Sequence, residues 1–197
     1  MISIHKKNTK LFLGLIFGSV FLSCFPSKYQ SLSAKDPNGL LMIKDSLIQK
    51  YGKNENLIIS IANAHNSLGV LSMKEKNYDI ALNHFSESLS ILPDDSITKY
   101  NKLMAEGHLL FERGNQNSLW DAIKKYSQAT QENSVSGEPY YYMGLAYRKL
   151  GDKDFDLIIE SFNNALKRTL SSQQRVIIEN EKKQVSNREK KLKDFWK

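Results

Sequence analysis

The chain has 197 residues, with 28 lysines and arginines against 21 aspartates and glutamates, four histidines and one cysteine. That length holds one domain with a short appendage, and a single cysteine excludes an internal disulfide, so the fold stands on packing alone. Hydrophobic content of 41% beside 25% charge excludes wholesale disorder, and four prolines and ten glycines exclude a collagen-like chain.

The net charge of +7 sits at the two ends. Residues 1–23 carry Lys6, Lys7 and Lys10 and no acid, and residues 171–197 carry eight basic and four acidic side chains. Between them, residues 24–170 hold 17 of each sign, so the body is neutral. A nucleic-acid reader clusters charge on its binding face. Here the basic tail is interspersed with Glu179, Glu181, Glu189 and Asp194, which is the pattern of a solvated helix face. No nucleic-acid partner is expected.

The leader places three lysines before a 12-residue apolar run, Leu11–Leu22, that ends at Ser23-Cys24. A bilayer-spanning helix needs about 20 apolar residues, so this is signal-peptide anatomy over residues 1–23. Phe21-Leu22-Ser23-Cys24 resembles the lipobox of bacterial lipoproteins, with Phe21 where that family usually has Leu, a relaxed form similar to that of spirochaete lipoproteins. The resemblance implies diacylglycerol and a fatty acid, palmitate among the candidates, on Cys24, which becomes the mature N-terminus. Two other fates remain open: cleavage near Ser23 without lipid, or an uncleaved anchor. Anchoring by more than one acyl chain is stable, and no later stretch reaches transmembrane length. Residues 24–37, polar and carrying Pro26 and Pro37, are expected to be a flexible tether.

From Asp36-Pro37 onward the sequence shows helical periodicity and little strand signal. Asp36 as N-cap and Pro37 in the first turn open a helix with Leu40, Ile43, Leu47 and Tyr51 on one face and Gly52 as its stop. This capping region is assigned residues 38–60, and a longer helix is expected from about Asn56 into Lys76.

Leu68-Gly69, Asn77-Tyr78, Ala81, Phe85, Ser88 and Pro93 follow in a unit of 34 residues over 62–95. A second copy over 100–136 keeps Gly107, Gly114-Asn115, Ala122, Tyr126 and Ala129 if Gln116-Asn117-Ser118 is an insertion in the turn. A third, over 137–170, keeps Tyr140, Met143-Gly144, Tyr147, Gly151-Asp152, Phe155, Phe162 and Ala165 with one inserted residue before Phe155. Small residues at the crossing and an aromatic between the helices are what a repeated helical hairpin needs. The pattern resembles the tetratricopeptide repeat (TPR), with His65 in the usual Trp slot, Ser72 in a Tyr slot, Ile158 in place of Ala and Leu170 in place of Pro. The resemblance covers residues 62–170 and implies an all-α solenoid of about three hairpins with capping helices. Residues 171–197 read as a basic C-terminal helix in which Ile178, Val185 and Leu192 recur every seventh residue. The stripe suits packing on the third repeat, with a partner helix as the alternative.

No catalytic constellation is present: no phosphate loop, no nucleophile elbow and no His-Glu-x-x-His. His108 with Glu112, and His84 with Glu87, each supply two metal ligands where a site needs three or four. No enzyme activity, metal, further cofactor or small-molecule substrate is expected. Of Tyr140-Tyr141-Tyr142, the first falls on a core slot and only the other two can face outward.

TPR solenoids bind peptides or helices on the face made by the first helix of each hairpin. By resemblance that face is Asn63, Asn66, Val70 and Met73, then Asn101, Met104, His108 and Phe111, then Glu138, Tyr141, Leu145 and Arg148. A clamp for a C-terminal carboxylate is not expected, because its positions would be Asn66, Val70, Ala105, Glu138 and Tyr142, and Glu138 repels a carboxylate. The expected function is a non-enzymatic protein–protein adaptor anchored in the bacterial envelope, at the outer membrane, similar in architecture to the TPR lipoprotein of the β-barrel assembly machine. A lipoprotein docking a peptidoglycan hydrolase or protease, and a surface lipoprotein binding host molecules, are the alternatives.

Overall fold

The computed structural model describes residues 28–52, 54–151 and 154–196; the leader and Cys24 lie outside the described residues. Those residues form ten helices in chain order: α1 (Lys28–Lys35), α2 (Pro37–Met42), α3 (Lys44–Tyr51), α4 (Glu55–Lys74), α5 (Tyr78–Ile91), α6 (Ser96–Arg113), α7 (Gln116–Glu132), α8 (Glu138–Leu150), α9 (Phe155–Leu166) and α10 (Ser172–Phe195). The described residues are all-helical. Among the described residues the single extended pairing is Ser136 with Thr169, where Thr169 N–H donates to the Val135 carbonyl at 2.8 Å and Gly137 N–H to the Thr169 carbonyl at 3.0 Å.

Helix starts follow local chemistry. Asn54, Asp95, Asn115 and Ser171 each accept a backbone N–H from the first turn of the helix they cap, and Ser171 forms a reciprocal capping box with Gln174. Each helix from α4 to α10 packs on its neighbours in sequence, so α4/α5, α6/α7 and α8/α9 are hairpins stacked in chain order.

One contact repeats through the stack. A Cβ on Gly69 would stand 2.5 Å from the Phe85 ring, one on Gly107 2.5 Å from Tyr126, and one on Gly144 2.5 Å from Phe162. In every hairpin the ring of the second helix lies against a bare backbone in the first. Ala81, Ala122 and Ile158 lie one turn before each ring and are fully buried. The first helix of each hairpin is followed, at its C-cap or one residue past it, by a residue with positive φ: Lys76 at 62°, Gly114 at 69° and Gly151 at 132°. The third turn, 151–154, is one residue longer than the first, 75–77.

The two ends differ from the sequence reading. Lys28–Lys35, expected to be tether, is helical and packs on α4, with Ser33 buried and Tyr29 and Leu32 against the Leu40–Leu57–Ile61 cluster. Asp36 does cap α2, accepting Gly39 N–H at 2.8 Å. The helix it opens breaks at Ile43. The break rotates the face, so Leu40, Leu41, Leu47 and Ile48 pack inward while Ile43 and Tyr51 are exposed. At the other end, α10 packs on α9 through buried Ile178 and Val185; Leu192, the third member of the stripe, is 38% exposed.

Candidate interaction face

The residues expected to line the binding face belong to α4, α6 and α8, and the structure divides them. Asn63 is exposed and Asn66 half-buried; the Asn101 amide donates to the Asn66 side-chain oxygen at 2.9 Å, joining α4 to α6. Val70 and Met73 are half-buried beside Ala81, Phe85 and Ala105. Phe111 is half-buried, with the Lys149 ammonium 4.7 Å from its ring centroid and donating to its carbonyl at 3.1 Å.

Met104 and His108 do not reach the surface: they are 1% and 7% exposed. The middle hairpin has neighbours on both sides, so Met73 and Tyr142 close over Met104. His108 packs among tyrosines: its Nδ1 is 3.0 Å from the Tyr126 hydroxyl, and the Tyr142 ring meets it edge-on at 4.3 Å. Tyr142, expected to be free to face outward, is stacked on Tyr126 at 5.5 Å between centroids. Burial pushes His108 down to about 4 and Tyr142 up to about 12, so at neutral pH both are uncharged.

Glu138 starts α8 half-buried, and the Tyr100 hydroxyl donates to it at 3.5 Å and pairs with Ser136 at 2.9 Å. Desolvation raises the Glu138 carboxyl above its usual range and takes Tyr100 up to about 12. Tyr141 and Leu145 pack on the cluster of Ile158, Phe162, Ile178 and Val185, and Arg148 pairs with Glu181 of α10. The third hairpin's share of the face is therefore bordered by α10. Tyr140 lies under the Arg168 guanidinium, 3.9 Å from the ring centroid.

His84 faces His65, Nδ1 to Nδ1 at 3.2 Å, and Glu112 is hydrogen-bonded to Tyr78. Among the described residues no three His, Cys, Asp or Glu stand together as a metal-holding group. Sequence reasoning missed Tyr100, Tyr126 and Tyr142 as a set. The signal was available in the hairpin register, which puts Tyr126 over Gly107, the residue before His108.

What this arrangement offers chemically is recognition. The open part of the face presents amides, apolar side chains, aromatic edges and the carboxyl of Glu138, which desolvation raises above its usual range. No protein-family model matches the chain, and no curated protein matches it.

Proposed function

We propose that this is a TPR lipoprotein of a bacterial envelope, a non-enzymatic adaptor held at the membrane by acyl chains on Cys24 and recognising a protein partner on the face of α4, α6 and α8. The observation that carries the reading is the register of Gly69 on Phe85, Gly107 on Tyr126 and Gly144 on Phe162. A contact that recurs in three successive hairpins is the physical content of a repeat, and stacked repeats leave one extended face for binding. Asn63, Asn66, Asn101 and Glu138 supply hydrogen bonding there beside Val70, Met73, Phe111 and Leu145, a mixture suited to an extended segment or a helix. Tethering raises the effective concentration of partners held at the same membrane.

The test is photo-crosslinking in cells. A crosslinker at Asn63 or Asn101 is expected to give a discrete adduct that is absent from Asp121, an exposed residue on α7. Adducts from Asp121 alone, or from no position, overturn the assignment of the face. Intact mass of the membrane-extracted protein tests the anchor: a mass beginning at Cys24 plus acyl chains supports it, and an unmodified mass overturns it.

A further inference from the structure

The helix found at Lys28–Lys35 changes the geometry of the anchor. Four Cα steps separate Cys24 from Lys28, a reach of at most about 14 Å when fully extended. A domain on so short a leash cannot stand clear of the surface that holds Cys24. What the N-terminal helices expose beside the tether is therefore placed to meet that surface.

What they expose is apolar and basic. Met42 is 86% exposed, Ile43 45% and Tyr51 50%, all in or beside the two short helices after α1. Tyr51 closes α3 against Tyr29 in the first turn of α1, with ring centroids 6.2 Å apart. Eight residues of helix rise about 12 Å, so α3 runs back over about that length from the Tyr29–Tyr51 contact, beside the start of α1, to its Ile43 cap. No residue of α3 is fully buried, which sets it apart from the helices of the hairpins. Residues 28–52 carry Lys28, Lys35, Lys44 and Lys50 against Asp36 and Asp45, while residues 53–170 hold 13 basic and 15 acidic side chains. One of those two aspartates is occupied as the α2 cap. The positive charge of the body is thus gathered at the end beside Cys24, together with exposed apolar side chains and a tyrosine. Anionic headgroups attract such lysines within a Debye length, and Met, Ile and Tyr partition into the boundary beneath them.

Resting on the reading of Cys24 as acylated, we infer that the corner made by α2 and α3 (Met42, Ile43, Lys44, Lys50 and Tyr51) is a membrane-contact face for anionic lipid. It fixes how the hairpin stack stands on the bilayer, with α10 at the far end of the chain of contacts.

The experiment uses the full mature protein, extracted from membranes, checked by mass for acylation and reconstituted in vesicles of phosphatidylglycerol and phosphatidylethanolamine with brominated acyl chains. Met42→Trp in a Trp120→Phe, Trp196→Phe background reports the corner, and Trp120→Phe alone leaves Trp196 to report the tip of α10. The Trp at position 42 is expected to lose about half its emission or more while Trp196 is unchanged, since only a ring at the acyl boundary meets bromine. Adding Lys44→Glu and Lys50→Glu is expected to restore emission. An acylated protein in which position 42 is quenched no more than Trp196, or in which the charge reversals change nothing, overturns this inference and leaves the anchor standing. An unacylated mass overturns both.

Discussion

The Nδ1 atoms of His65 and His84 lie 3.2 Å apart across the first hairpin, and the Nε2 of His65 is buried with no hydrogen-bond partner. One ring must donate and the other accept, which requires at least one neutral imidazole. Burial holds His65 below its ordinary value of 6.5, with His84 and Lys44 acting in the same direction and Glu87 against them. Burial also lowers His84, opposed by Glu87. The contact works as a hairpin clasp while the pair is not doubly charged.

His108 adds to the same pH dependence. Its folded-state value is pushed to about 4 by burial, from 6.5. The unfolded chain binds the proton first as pH falls, so stability complete above about 6.5 is lost between there and about 4. The contribution is on the order of 3 kcal/mol. Urea unfolding at pH 7 and pH 5 is expected to show a lower midpoint at pH 5. His108→Gln, which keeps a partner for Tyr126, should flatten that difference, and an unchanged pH dependence in this variant refutes the assignment.

Lys76 holds φ of 62° at the turn where Gly114 holds 69° in the next hairpin. A side chain in the left-handed region costs about 1 kcal/mol or more, and the Lys76–Glu112 ion pair at 4.0 Å is exposed and offsets little of it. Lys76→Gly is expected to raise unfolding stability by about 1 kcal/mol. Gly114→Ala is expected to lower it by a similar amount. Thermal melts of the two variants against wild type decide the point: opposite shifts are required.

Much of the architecture was legible because it is written in residue size at fixed helical spacing. Glycine opposite an aromatic, with alanine one turn before the ring, is a local pattern that can be read without coordinates. What failed to read had other causes. Lys28–Lys35 contributes only Tyr29 and Leu32 to the core and otherwise looks like linker. The break at Ile43 has no Gly or Pro to announce it. Helix phase correctly aimed Met104 and His108 toward one face, but phase carries no information on how closely the next hairpin approaches, and Tyr142 closes that gap. The His65–His84 contact joins residues on different helices whose individual spacings pointed elsewhere.

The three glycine–aromatic contacts make a graded prediction. Each Gly→Ala change puts a methyl 2.5 Å from a ring, and overpacking of this kind costs about 1–3 kcal/mol where the ring can shift. Tyr126 is held by His108 at 3.0 Å and by the stacked Tyr142, whereas Phe85 has no polar tether. Gly107→Ala is therefore expected to be more destabilising than Gly69→Ala. Equal losses in denaturant unfolding would mean that the Tyr126–His108 pair gives no rigidity.

The C-terminal helix separates two roles along its own length. Ile178 is fully buried and Val185 4% exposed against α9, while Phe195 and Trp196 are 78% and 81% exposed. If α10 caps the stack, the buried pair carries its energy. Ile178→Ala should then cost about 2–4 kcal/mol, the range for emptying a core site, and Trp196→Ala almost nothing. Limited proteolysis reads the same distinction. Ile178→Ala should open cleavage at Arg175, Lys182 and Lys183, under conditions where wild type and Trp196→Ala are cut only near the end, at the lysines beyond Arg188. A variant at Ile178 as stable and as resistant as wild type would mean that α10 is held by the Arg148–Glu181 pair. That pair is about one-third exposed on the arginine side, and such a pair contributes at most about 1 kcal/mol. The packed core of the last hairpin therefore has to supply the difference, and the measured loss at Ile178 should exceed the loss for Arg148→Ala.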